Sequence, residues 1–561
     1  MKTTLLALTI LSCALSFSQN WTQGGTQLTT TDITNEDPRI GATSTGEFYM
    51  SWIEYGTIGI VKLNAFSDAG EQLSGWPAGG LEISNPNGDY WQTELIVTDD
   101  DMVVVTWFGY TTTGTGSDRM HVFAQKYDAT GVAQWNSGNP IQLSNTTDKH
   151  NRNMVISDDG SNGAFVAWME YDLSFSPSSS DIYIRRIYDS GSPYPAPTLV
   201  AGEVGVSENN PEIAINPNGS DVWMTYMTGS TVTDLRIIKL SPLTGLVHSG
   251  WVPGGYVTVS PGSNIYPNAG RKPKLFVDNG YNAHVMWVEF RGDGEIYLQK
   301  YSNTGTALYT ANGQELYATA ADDISYMSAI MNDNYSITYA WREFDNLVND
   351  VLVNRVDVDG NVQLSTELDV STANVVYPQI IQDGHNGNFL FYKDITISNT
   401  HELVAMRIDA NVEIHPQWSD PGPSFGVINN LNGTNPFDDF QVVAHEQGGG
   451  IVVWDRILNS EHHILGCNVY ENGIVCDTAT VIDDSGLEAA EISFELYPNP
   501  AQNEISIEIS SNEALYIRNV LGDVVKRELL KVGNNKIQIS DLAKGVYLVQ
   551  VGRTTQKLIL D

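Results

Sequence analysis

Positive charge is what this sequence has least of. Its 561 residues hold 29 Lys and Arg against 67 Asp and Glu, a formal charge of −38. A surface of that sign repels phosphate backbones and anionic lipid, which removes nucleic acid from the partners to consider. Cysteine is nearly missing, at three residues, so neither a disulfide framework nor a cysteine-rich zinc site organises the fold. The longest apolar run, over 5–15, is too short to span a bilayer, so no transmembrane segment is expected. Before residue 480 no segment carries the apolar period of an amphipathic helix. Gly-x-Ser-x-Gly, His-Glu-x-x-His and phosphate-loop motifs are also missing.

The ends of the chain are informative. Lys2 followed by the apolar run over 5–15 and by Ser16-Phe-Ser18 reads as a secretory signal over 1–18. Cleavage is expected between Ser18 and Gln19. A lipoprotein reading at Cys13 is the alternative, but the apolar run continues past that residue. Removing the signal leaves Cys467 and Cys476, which flank a hairpin pattern with its turn near Glu471 to Gly473. That pattern sets the two cysteines opposite each other, and an oxidising compartment would join them. Two reduced thiols are the alternative.

Between the ends the sequence repeats. A Pro-x-Ile-like strand leads to a turn, then to a strand ending near a tryptophan. Another strand follows, then Asp/Asn-x-x-Gly, often Trp-x-x-Gly-Gly, and a last strand. Trp52, Trp107, Trp168, Trp223, Trp287, Trp341, Tyr392 and Trp454 mark eight units, 51 to 64 residues apart. The fourth unit fits least well, since Tyr226 competes with Trp223. Units of about four short strands that cannot bury their own faces stack around an axis. The expectation is an all-β, multi-bladed β-propeller over 19–476, with eight blades, or seven as the alternative. The tryptophans are expected to pack between blades. Trp21-Thr-Gln-Gly-Gly25 matches the end of a unit, as in Trp76-Pro-Ala-Gly-Gly80. The N-terminal segment is therefore expected to complete the last blade and close the ring.

An acidic, small-residue stretch over 477–493 reads as a linker. Beyond it, over 494–561, charge is balanced, with eight Lys/Arg and eight Asp/Glu, and short alternating strands suggest a small β-sandwich. Tyr497-Pro498-Asn499-Pro500-Ala501 opens this module, and Asn519-Val-Leu-Gly522-Asp-Val524 follows. Ile539-Ser-Asp-Leu-Ala-Lys-Gly545-Val-Tyr547-Leu-Val549 and Lys557-Leu-Ile-Leu560 close it. In this order the motifs resemble the type A sorting domains of Bacteroidetes type IX secretion cargo. The resemblance implies the type IX machinery as a partner, export across the outer membrane, and attachment to the cell surface or release. The upstream repeats also look like those of secreted and surface propellers from such bacteria, a class that carries many functions.

Candidate chemistry is sparse. Sialidase-type propellers carry Ser-x-Asp-x-Gly-x-x-Trp boxes, and Asp128-Ala-Thr-Gly131-Val-Ala-Gln-Trp135 misses that spacing by one residue. Phe-Arg-Ile-Pro is missing, and arginines are too few for a visible carboxylate-binding cluster. Asp158-Asp-Gly-Ser-Asn162 and Asp357-Val-Asp-Gly-Asn361 suggest calcium loops without the full ligand series, and tight Asp/Gly turns explain both without metal. Glu461-His462-His463 reads as a surface loop, short of a metal's ligand count.

One recurrence is sharper. Glu54, Glu170, Glu289, Glu343, Asp394 and Asp455 follow the tryptophan position. Acids and aromatics such as Glu36, Asp37, Trp91 and Tyr377 precede or open the first strands of their units. Together they suggest a ligand face for a cation, glycan or peptide. The plain alternative is that each acid serves the repeat itself. With no catalytic motif, the expectation is a non-catalytic binding or adhesion protein for a glycan or protein ligand. A secreted polysaccharide hydrolase or lyase with paired carboxylates is the alternative, and a passive matrix component the third.

Overall fold

The computed structural model describes residues 21–471 and 494–560, apart from 22–24, 32, 85–88, 111–118, 146–148, 172–179, 218, 230–232, 250, 253–254, 264–271, 291–293, 320–322, 346–347, 365–366, 371–374, 396–400, 417, 419–423, 429–439, 446–448, 459–460, 495, 510–512, 519–523, 541 and 552–553. The protein is a β-propeller followed by a β-sandwich. Among the described residues there is no α-helix, and one short 3-10 turn interrupts the strands at Asn136–Gly138. The signal over 1–18 with its Ser18–Gln19 junction, Cys476, the linker over 477–493 and Gly522 lie outside the described residues.

Upstream, among the described residues, eight four-stranded antiparallel sheets follow one another. The first seven occupy 34–82, 90–142, 150–201, 208–263, 274–319, 323–369 and 375–428, each with its strands in chain order. The eighth joins Phe440–Ala444, Gly450–Leu458 and Glu461–Val469 to Thr26–Gln27 from the start of the chain. Thr26 pairs with Gly466 and Gln27 with Leu465. The first strand Thr34–Ala42 packs against strands of the eighth sheet, so the succession returns on itself. The row of unpaired edge groups that an open end would expose is thereby removed.

The downstream sandwich has a three-stranded sheet and a four-stranded sheet around one apolar core that includes Ile505, Ile517, Ile537 and Val549. Asn499 ties the opening motif to the last strand. Its side chain donates to Lys557 O at 2.6 Å and accepts from Ile559 N at 3.0 Å. Tyr497 is exposed, Gly545 opens the strand Gly545–Val551, and buried Tyr547 donates its hydroxyl to Ala543 O.

The seams between propeller sheets are built on one position. The fifth residue of each second strand is aromatic, buried, and packed with apolar residues of the preceding sheet. Trp107 lies with Val61 and Leu63, Trp341 with Met286 and Leu298, and Tyr392 with Val351 and Val353. Trp52 meets Ile451 and Val453 of the eighth sheet across the closing seam. In the fourth sheet the fifth residue is Tyr226, which packs with Phe165 and Ile182 of the third sheet. Trp223 sits three residues earlier, so strand alternation turns it the other way, toward Trp287 of the fifth sheet. The tryptophan of that unit is therefore not the seam residue.

A second set of contacts crosses every seam at the opposite end of the sheets. The turn that follows the third strand presents the carbonyl or side chain of its second residue to the preceding sheet. Trp21 donates its indole N–H to Asp68 O, Trp76 to Ala129 O, Trp135 to Asp189 O and Trp418 to Glu471 O, at 2.7–3.0 Å. Tyr309 donates its hydroxyl to Val358 O. Cations do the same. Arg186 reaches Pro242 O, Lys239 reaches Asn303, Lys300 reaches Val358 O, Arg355 reaches Ala410 O and Arg407 reaches Glu471 O. Lys126 bonds the Asp189 carboxylate at 2.7 Å.

Most of these cations also hold an aspartate in the first hairpin of their own sheet. The pairs are Lys126–Asp100, Arg186–Asp159, Lys239–Asp221, Lys300–Asp278 and Arg407–Asp383, at 2.6–3.2 Å. Six of the chain's 29 basic residues thus recur at one equivalent, largely buried position. Breaking such a pair from one side leaves an uncompensated buried charge. Arg186→Met is expected to lower unfolding free energy by about 3–5 kcal/mol in denaturant titration, and adding Asp159→Asn to return part of the loss. Asp278 gives a pH test. Burial alone would raise its carboxyl, but hydrogen bonds from His284, Lys300 and Asn282 hold it well below the ordinary range. A depressed carboxyl contributes stability above its unfolded pKa of about 4 and loses it as pH falls further. Melting curves between pH 5 and pH 2, both about the usual acid-unfolding window, are expected to fall less steeply in Asp278→Asn than in the parent.

Candidate functional site

The end of the sheets away from these turn contacts carries a different repeated feature. In six sheets the first strand breaks its register with a bulge, and one residue there has positive φ. These residues are Asp37, Gln92, Asn153, Asn210, Tyr326 and Tyr377, with φ between 43° and 58°. The register shifts fall at the same place each time, as at Glu36/Arg39 and Val376/Gln379. Pro38, Pro211 and Pro378 follow three of them, as suits a strand position that gives no ladder hydrogen bond. Left-handed backbone in residues other than glycine costs energy, and bulges re-aim side chains at sheet rims. Neighbours in this series touch across the seams. Asn153 Nδ2 donates to Asn210 Oδ1 at 3.1 Å, and the Tyr326 and Tyr377 rings meet edge-on with centroids 4.3 Å apart.

Part of this rim opens into a cavity of about 660 Å³ among the first three sheets. Glu36, Asp37, Tyr55, Trp91, Gln92, Phe108, Arg152 and Asn153 line it. Trp91 is 44% exposed and is braced edge-on by Tyr55 at 6.1 Å. The Arg152 guanidinium lies 5.0 Å from the Tyr171 ring. Burial raises the Glu36 carboxyl, and His462 opposes that rise. The wall thus combines an exposed aromatic surface, amides at two bulge positions, one guanidinium and two adjacent carboxylates. Across the rim the character changes. Arg342 stacks 4.9 Å over Tyr326 and pairs with Asp323 at 2.6 Å, while Lys393 lies 4.7 Å over Tyr377. Burial pushes the Lys393 ammonium down to about 7.

The acids that follow the tryptophan position are placed differently from these rim residues. Glu54 accepts from Thr31 Oγ1 at 2.8 Å and lies 3.5 Å from Lys62. Glu170 lies 3.3 Å from Lys149. Glu289 accepts from Ser260 Oγ and from the Trp287 indole N–H at 2.8 and 2.7 Å. Glu343 accepts from the hydroxyls of Tyr317 and Thr319. Thr31, Ser260 and Tyr317 belong to the end of the preceding unit, so Glu54, Glu289 and Glu343 fasten seams, whereas Lys149 immediately precedes the first strand of Glu170's own sheet. Asp394 is half-buried on its strand, and Asp455 is half-buried beside His462 at 2.9 Å.

In both suggested calcium loops an aspartate closes its own turn. Asp357 accepts from Asp359 N, Asn361 N and the Asn361 amide. Asp159 accepts from Ser161 N and Gly163 N and pairs with Arg186. These are tight turns closed by their own aspartates. Residues 461–463 are not a surface loop. They begin the strand Glu461–Val469, with His463 buried and hydrogen-bonded to Gln27 of the closing strand at 3.1 Å.

Comparison with known proteins bears mainly on the C-terminal module. The family described as secretion system C-terminal sorting domain matches residues 495–560. No curated protein matches the chain. Among solved structures, a Dyadobacter fermentans protein of unknown function shares 12% identity at TM-score 0.34, covering 59% of this chain and 98% of its own. The periplasmic gluconolactonase of Pseudomonas aeruginosa shares 15% at TM-score 0.37, covering 70% and 96%. An intramolecular trans-sialidase from Ruminococcus gnavus shares 11% at TM-score 0.32, covering 71% and 99%. Likenesses of this degree say nothing about individual residues of the chain. The sorting tail marks the protein for type IX export, to the medium or to the cell surface. Among the described residues no helix is long and apolar enough to cross a membrane.

The seam position of Glu289 has a measurable consequence. Glu289→Ala leaves the Trp287 N–H and the Ser260 hydroxyl without their buried acceptor. Unfolding free energy is expected to drop by about 2–3 kcal/mol in a denaturant titration.

Proposed function

We propose that this β-propeller, exported by type IX secretion, is a non-catalytic binding protein. In this reading its rim cavity takes a carbohydrate ligand at or beyond the cell surface. The observation that carries the reading is Trp91. It is a large apolar side chain nearly half exposed, braced by Tyr55, on the wall of a cavity that also holds Gln92, Asn153 and Arg152. An exposed aromatic ring offers a platform to the apolar face of a sugar, and nearby amides and guanidinium suit its hydroxyls. A cavity of this size with a few convergent polar groups is the usual form of a small-ligand site. Loss of a central tryptophan from such a site costs about 2 kcal/mol or more.

The same proposal takes residues 1–18 as a signal cleaved before Gln19. It takes 19–476 as the propeller, 477–493 as a linker, 494–561 as the sorting domain, and Cys467 and Cys476 as a disulfide. A polysaccharide hydrolase is the second reading. Glu36 and Asp37 favour it, as two carboxylates side by side on the cavity wall.

A panel of polysaccharides and oligosaccharides tests the proposal by thermal shift and calorimetry. A ligand that binds the folded state alone raises the melting temperature. The expected result is a shift with one glycan class, weakened about thirtyfold or more in Trp91→Ala, a loss of about 2 kcal/mol. Binding that ignores this substitution removes the cavity from the proposal. Release of shortened products from the bound glycan replaces binding with hydrolysis.

A further inference from the structure

Where the first and eighth sheets meet, three side chains of metal-binding type converge. Glu36 comes from the first strand of the ring, and Asp455 and His462 come from adjacent strands of the last sheet. His462 Nδ1 lies 2.9 Å from Asp455 Oδ2 and 3.4 Å from Glu36 Oε1, and one ligand atom from each residue falls within 4.8 Å of the others. We propose that Glu36, Asp455 and His462 form a binding site for a first-row divalent transition ion, of which zinc is the natural probe.

The geometry suits such an ion. Four ligands placed tetrahedrally at about 2.0–2.2 Å from zinc stand about 3.3–3.6 Å from one another. His462 already stands near that spacing from each carboxylate, at 2.9 and 3.4 Å, and the two carboxylates lie within 4.8 Å of each other. The donor set also discriminates between ions. An imidazole nitrogen with two carboxylates suits zinc or manganese, whereas calcium asks for six or more oxygens. All three side chains are partly exposed, and Glu36 also lines the rim cavity, so an ion and a fourth ligand have a way in.

Charge points the same way. Two carboxylates face one imidazole, while Arg39, the cation nearest in sequence to Glu36, is directed to Glu94. A metal ion here would bind the first strand of the ring to its last sheet. This inference stands on the cluster alone and is independent of any glycan in the cavity.

The test uses the purified full-length protein, stripped with chelator and titrated with zinc, manganese and calcium without carbohydrate. Calorimetry is expected to show one zinc equivalent that calcium does not displace. Affinity is expected to fall at least about tenfold in His462→Ala and in Asp455→Asn, as loss of a ligand demands. His463→Ala, whose imidazole faces Gln27, is expected to keep zinc binding. Cobalt added to the unaltered protein supplies a readout that needs no variant, since nitrogen and oxygen ligation in a tetrahedral site gives visible absorption bands. No stoichiometric zinc, no cobalt spectrum, or undiminished affinity in a folded His462→Ala protein would each overturn the proposal.

Discussion

The propeller depends on hydrogen bonds and ion pairs made from one sheet into the outer turn of the next. A four-stranded sheet buries its faces only by stacking, but apolar stacking is non-directional and does not fix how far one sheet is rotated against its neighbour. The turn contacts do. Asp68, Ala129, Asp189, Pro242, Asn303, Val358, Ala410 and Glu471 are each reached by a tryptophan, a tyrosine or a cation of the sheet before. Each contact is directional and repeated, and most are partly buried, so every sheet is positioned by its predecessor. The aromatic residues at the fifth position of the second strands then fill the seams that these contacts define.

This arrangement separates structure from ligand surface along the axis. One end is closed by buried cations, their aspartates and tight turns. The other is opened by bulges whose side chains differ from sheet to sheet, from Asp37, Gln92 and two asparagines to Tyr326 and Tyr377. A repeated backbone irregularity with unrepeated side chains lets one fold present a varied rim without disturbing its seams. The acidity of the molecule follows the same division. Many of its basic side chains are held inside, so they do little to neutralise the surface.

Much of this was legible in the residues. Alternation, turn spacing and recurring tryptophans carry the propeller, and Trp21-Thr-Gln-Gly-Gly25 carries its closure. Tyr497-Pro-Asn-Pro carries the sorting tail. Periodicity fails where two aromatics share a strand. Trp223 and Tyr226 both fit a loose pattern, and the face of the strand decides between them. The acids after the tryptophan, such as Glu289, were visible as a series, but their direction was not, because it depends on which neighbouring strand supplies a partner. Lys126, Arg186, Lys239, Lys300, Arg355 and Arg407 were also a visible series, each just before the last apolar residue of a third strand. In a chain so poor in cations that recurrence is a strong signal of burial. Pro38, Pro211 and Pro378 likewise mark the bulges, since proline inside a strand needs a break in the ladder.

The closing strand Thr26–Gln27 sets an order on assembly. Gln27 meets His463 across 436 residues of chain, and bringing such ends together costs about 5 kcal/mol in loop entropy before any contact rewards it. Seven sheets form from residues near each other in sequence, and the eighth does not. A chain emerging amino end first therefore carries its initial strand unpaired until almost the whole propeller has followed. The ring is finished last, at the one sheet that requires both ends.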